Sequence, residues 1–238
     1  MNKAKFILLA LLFVLPVKHL ISSGGDELIS IQGMDASYLR FENEGDYWKY
    51  DVLLSYNNTQ YTLNVRIGGI TSYRGQISTP YIYTSNLDGN TTIHNYRFST
   101  EGRMYLGSFT SGGSEIAYDP GILLPYNFDG VLARSMSVSF VGDTDYPESD
   151  YTYTYAGNVT ITLPGSTVPL QCAHLNFKYS FAKTRGRTDM QIDEDQWYAS
   201  GLGLVKVEDY KPVGFENAGS LIGSWTLREA RVGEKVFP

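Results

Sequence analysis

Cys172 and His174 stand two residues apart, the spacing that puts two strand side chains on the same side of a sheet. A thiolate–imidazole dyad needs that proximity, together with a third group to orient the ring. The sequence marks no such group, and His19, His94 and His174 are its only histidines. A structural thiol is therefore the better reading, and in an oxidising compartment a lone thiol survives best when buried. His94, His174 and Cys172 also fall short of the ligands that a metal site requires. Asp143, Asp145, Glu148 and Asp150 crowd one segment and offer the hard oxygens that Ca²⁺ takes, but not at EF-hand spacing, and acidic loops commonly just face water. Lys183-Thr184-Arg185-Gly186-Arg187 could touch lipid headgroups; a solvated hairpin tip explains it better. Asn57, Asn90 and Asn158 each begin an Asn-x-Ser/Thr triplet, which turn-rich, Thr-rich sequences produce by chance. Nucleophile elbows, phosphate-cradling loops and zinc-protease helices are all missing. A non-enzymatic protein without a cofactor is expected.

The elements that would position these groups are strands. Tyr61, Leu63, Val65 and Ile67 alternate with Gln60, Thr62, Asn64 and Arg66, one face for a core and one for water. Upstream, Trp48, Tyr50, Val52, Leu54 and Tyr56 share a face, and Asn57-Asn58-Thr59 supplies turn residues, so the two runs form a hairpin. Tyr151, Tyr153, Tyr155, Val159, Ile161 and Leu163 alternate with polar residues around a bulge or bend at Gly157, and Pro164-Gly165-Ser166 turns that strand into the next. There Ala173, Leu175, Phe177, Tyr179 and Phe181 oppose His174, Asn176, Lys178 and Ser180. Further strands are expected near residues 36–42, 80–84, 92–99, 103–110, 133–141, 188–199, 203–211 and 221–232. Residues 112–130, with Pro120, Gly121 and Pro125, read as a long loop. The 19 Tyr, 11 Phe and 24 Gly give strand and turn formers, and no interior segment carries a helical stripe.

The start of the chain reads as an address. A basic opening with Lys3 and Lys5, an apolar run from Phe6 to Val17 and small residues at Ser22, Ser23, Gly24 and Gly25 fit a secretory leader. The run is short for a membrane span, which needs about 20 apolar residues. Domains are thus expected as 1–23 signal peptide and 24–238 a single β domain, extracytoplasmic, with an uncleaved N-terminal anchor as the alternative. Cys172 is the only cysteine, so stability must come from packing. Net charge is −6, with 19 basic residues scattered among 25 acidic ones, against a nucleic-acid partner. Strands of this length hide an apolar face by sandwiching or curling, and curling suits long strands better. The expected fold is all-β, an antiparallel open barrel or half-barrel of roughly 11–12 strands.

Three segments resemble exported bacterial proteins and lipoproteins of unassigned function. Gly45-Asp46-Tyr47-Trp48-Lys49-Tyr50 resembles their Gly-x-x-Trp-x-Tyr opening. The segment from Val159 to Cys172 is similar to their middle strand pair, and that from Trp197 to Lys206 to their closing Trp-x-Ala-x-Gly-Val-Gly-Leu-Val-Lys. The lipid-anchor cysteine that such proteins often carry is missing, and Val168 stands where the pattern has a larger apolar residue. The resemblance implies a fold like that of the Lol lipoprotein carriers, whose concave sheet can hold an acyl chain. Trp48 and Trp197 are read as core anchors, with Gly201 and Gly203 bending the chain between two strands. The cavity candidates are Tyr153, Tyr155, Phe177, Tyr179 and Phe181, facing a lipid, another apolar ligand or an envelope protein's hydrophobic segment. The alternative is an envelope interaction module with a filled core.

Overall fold

The computed structural model describes residues 34–127, 131–140, 148–181, 190–212 and 216–237. The leader, Asp143, Asp145 and the basic turn at 183–187 lie outside them. The strands are β1 (Tyr47–Leu54), β2 (Thr59–Ile67), β3 (Thr71–Tyr73), β4 (Gln76–Ser85), β5 (Thr91–Phe98), β6 (Gly102–Thr110), β7 (Ser114–Pro125), β8 (Val131–Phe140), β9 (Glu148–Thr162), β10 (Pro169–Phe181), β11 (Met190–Ala199), β12 (Gly203–Tyr210), β13 (Leu221–Val232) and β14 (Lys235–Phe237). Every pairing is antiparallel between chain neighbours except β2 with β4, which skips the short β3, and β1 with β13. That last pairing runs from Tyr47 opposite Arg231 to Leu54 opposite Gly223 and completes a ring. The result is a closed antiparallel barrel of 12 strands, with β3 and β14 as added short hairpin arms.

Closure follows from the alternation. Trp48, Tyr50 and Val52 on β1 are buried, as are Tyr61, Leu63, Val65 and Ile67 on β2, while Asp51, Gln60, Asn64 and Arg66 are exposed. A single sheet with one apolar face can remove it from water on all sides by meeting its own edge, which also removes the unpaired edge groups.

Two expectations are corrected. The stretch expected as a long loop contains a strand: Ser114–Pro125 form β7, pairing with β6 on one side and β8 on the other. Against β6, Tyr105 pairs with Ile122 and Gly107 with Ala117, so the Tyr118–Gly121 stretch bulges. Gly121 sits there at φ 104, and a Cβ would come 2.9 Å from Met104 Cγ, so the residues that look like loop punctuation serve an irregularity inside a strand. Residues 36–42 are not a strand. Asp35 caps a one-turn helix, α1 (Ala36–Leu39), through the Ser37 N–H at 2.7 Å.

The segment around α1 is a plug. Met34, Leu39 and Phe41 are all buried, and the Phe41 ring meets Trp48 edge-on at 5.5 Å. Gly203 (φ 81) lets it approach, since a Cβ there would stand 2.8 Å from Phe41 Cε2. Gly201 N–H donates to the Ser37 carbonyl at 2.8 Å, fixing the plug to the bend that the two glycines were expected to make.

The interior is paved with tyrosine. Rings follow one another from Trp48 to Tyr81 (6.0 Å), Tyr96 (4.8 Å), Tyr105 (5.2 Å), Tyr118 (5.3 Å) and Tyr179 (6.2 Å). Their polar ends find backbone: Trp48 Nε1–H donates to the Leu202 carbonyl (2.5 Å), Tyr50 to that of Leu204 (2.8 Å) and Tyr81 to that of Phe41 (2.7 Å).

Candidate functional site

The aromatic candidates on β9 and β10 fill space instead of bounding it. Tyr153 and Phe177 have ring centroids 4.1 Å apart, Tyr151 lies 6.2 Å from the same Phe177, and all three are at most 2 % exposed. Tyr179 is buried against Tyr118, and Tyr155, next to the β9 bulge at Ala156-Gly157, is half-buried. Phe181 ends β10 opposite Ser149 and Met190; its side chain is outside the described set.

A cavity lies elsewhere among the described residues of the barrel, under the plug, with a volume of about 60 Å³. Its walls include Phe41, Trp48, Tyr50, Tyr96, Tyr198 and Trp225, and three of its residues are not apolar: His94, Arg103 and Glu194. Arg103 reaches inward from β6 between two rings, its guanidinium 5.0 Å from the Tyr96 centroid and 5.6 Å from that of Tyr198. It donates to Tyr198 Oη at 3.2 Å; Tyr198 donates in turn to Gln196 Oε1 and Gln196 Nε2 to Glu194 Oε1, each at 2.6 Å. Glu194 is the direct cross-strand partner of Asp209. Glu194 Oε2 and Asp209 Oδ1 are buried and receive no donor from a described residue, an arrangement that a proton held between the two carboxyls resolves. Burial, reinforced by the charge of Asp209, pushes the Glu194 carboxyl far up, and burial pushes Asp209 up to about 8. Burial, then the charge of Arg103, presses His94 down to about 3, so its ring is neutral.

Sequence reading missed this polar group. The available signal was phase: on β11, Glu194 and Gln196 fall on the face of Ile192 and Tyr198, where only apolar residues belong unless they are partnered.

The remaining candidates do not border the cavity. Cys172 is 1 % exposed, its thiol pushed up to about 11 by burial, so it stays protonated and is a poor nucleophile. His174 does have an acidic neighbour that the sequence did not mark, Asp195, with Nε2 to Oδ1 at 3.2 Å, and its ring stacks on Trp197 at 4.7 Å. Trp197 is buried in the hydrophobic core, as expected, but on the outer side of its strand, beneath His174 and Lys206 Nζ at 4.4 Å. Asp150, from the acidic segment, is exposed and accepts from Ser135. Among the described residues no helix is long and apolar enough to cross a membrane, which bears only on helices.

The fold and cavity define a closed, tyrosine-lined antiparallel barrel. No family model and no curated protein matches the sequence. Among solved structures, the chain is similar to one from Bacteroides fragilis NCTC 9343, described as a "putative exported protein with YmcC-like fold". The TM-score is 0.51 at 11 % identity, over 84 % of this chain and 99 % of that one, which shows a shared fold. A structure from Parabacteroides distasonis ATCC 8503, described as a "putative lipoprotein", aligns with TM-score 0.47 at 14 % identity, over 87 % of this chain and all of that one.

Proposed function

We propose that the chain is an extracytoplasmic, non-enzymatic barrel of the cell envelope that acts through contact with an envelope partner, its interior serving as a filled scaffold. The observation that carries this reading is the packing of the expected ligand face: the Tyr153 and Phe177 rings lie 4.1 Å apart and Tyr179 packs against Tyr118. The cavity of about 60 Å³ is well below the roughly 300–1,000 Å³ of pockets that enclose drug-sized ligands. The leader pattern, and the description of the Bacteroides fragilis neighbour as exported, support the location. Titration of the mature domain with a fluorescent fatty-acyl probe tests it. No saturable binding is expected. Saturable binding that disappears in a folded Tyr179→Arg variant overturns the filled-scaffold reading in favour of a carrier. The carrier is the second reading, favoured by one feature: the aromatic cavity sits beneath a plug of short, locally capped chain rather than beneath a strand of the ring.

A further inference from the structure

Arg103 poses a charge problem that the fold leaves open. A cation held inside a barrel is costly unless a carboxylate or a full set of hydrogen bonds compensates it. Arg103 has neither: no described carboxylate lies within ion-pair distance, and among described residues only Tyr198 Oη accepts from the guanidinium, which has five N–H donors. No group in contact with the guanidinium supplies an anion. Tyr198 and Tyr96 are phenols held protonated by burial, and His94 is neutral. Glu194 turns one oxygen to Gln196 and shares the Asp209 side with the other, three hydrogen bonds removed from Arg103.

We propose that the cavity beside Arg103 is a binding site for a carboxylate group, received by the guanidinium within an aromatic wall of Trp48, Tyr50, Tyr96, Tyr198 and Trp225. A planar carboxylate matches the paired N–H donors of a guanidinium, and the low-polarity wall strengthens that charge-assisted pair. Size restricts the ligand: at about 10–15 Å³ per water, about 60 Å³ holds roughly four to six waters, the space of an acetate-sized acid. The same chemistry could arrive as a free small acid or as the end of a longer one that displaces Phe41. The site stands independently of any partner on the outer surface.

Two of the three tryptophans, Trp48 and Trp225, border the cavity, and Trp197 lies on the outer face, so intrinsic fluorescence reports on the site directly. The mature protein is titrated with sodium acetate, and separately with sodium octanoate below its micelle concentration, against sodium chloride at equal ionic strength. The expected result is a saturable fluorescence change with acetate, exceeding that with chloride, and a weakening of at least tenfold in Arg103→Gln. Saturation with octanoate alone keeps the carboxylate site, assigns it to a longer acid and overturns the filled-scaffold reading. Should Arg103→Gln fail to fold, line broadening of [¹³C]acetate by the native protein, reversed by excess unlabelled acetate, gives the same answer without a variant. No saturable response to either acid, or binding that persists in folded Arg103→Gln, overturns the proposal.

Discussion

Glu194 and Asp209 face each other across β11 and β12 with burial favouring their protonated forms, and this fixes the sign of a pH effect. In the unfolded chain both carboxyls lose their protons from about pH 4 upward. A group whose value is raised by folding gives stability that is full below that point and is lost as pH rises through the folded value, about 8 for Asp209. His94 works the other way: its value falls on folding to about 3, so its contribution is lost as pH drops below its unfolded value of about 6.5. Replacing Glu194 with Gln keeps the shape and removes one titrating partner. The melting temperature of Glu194→Gln should therefore decline between pH 5 and 8 by less than half as much as that of the native protein. An unchanged decline, followed by calorimetry across that range, places the buried proton elsewhere. The tryptophans separate in the same spirit. Trp48→Ala empties a site inside the ring and should cost about 3–5 kcal/mol in urea denaturation. Trp197→Ala removes a stack with His174 and a cation contact with Lys206 on the outer face and should cost about 1–3 kcal/mol. Equal losses at the two positions contradict the assignment of opposite faces.

The plug is the element on which most else depends, because it roofs the cavity and engages two barrel side chains, Trp48 and Tyr81, and the bend at Gly201. Gly203→Ala places a Cβ against Phe41 and forces a positive φ, a combined strain of about 1–3 kcal/mol. Repeating the substitution in a Phe41→Ala background should recover part of that loss and leave the backbone share behind. A double-mutant cycle with no coupling between the two positions separates the plug from β12. Strands were the legible part of this chain. Where polar and apolar residues alternate cleanly, as from Gln60 to Ile67, local sequence states both the element and its inner face. Gly157 announced the β9 bulge for the same reason. What stayed hidden depends on distant chain. The α1 segment is too short to show a period, and its helix is fixed by one Asp35 cap and by the Ser37 carbonyl, which accepts from the Gly201 N–H. The Asp119-Pro120-Gly121 run reads as loop because its bulge is supported only by β6 and β8 on either side. Arg103 and Glu194 were invisible as a site because alternation predicts where a side chain points, and only the closed ring shows that the two border one cavity.

For the whole molecule the decisive contact is between β1 and β13. A chain truncated after Tyr210 lacks β13 and β14, so β1 and β12 lose their shared neighbour and Trp225, Leu227 and Ala230 leave the core. The truncated chain should lose the near-ultraviolet dichroism of its packed tyrosines and show no cooperative urea transition. A sharp transition in that variant contradicts a ring that stands or falls together. The same contact sets a timetable for synthesis. Tyr47 cannot meet Arg231 until 184 further positions have emerged. At roughly 5–20 residues per second, the first strand waits on the order of 10–40 seconds with an edge exposed and its tryptophan face only half covered. A chain that emerges end-first is thus vulnerable for nearly its whole passage, and its yield should rise with a chaperone that shields a strand edge during that wait.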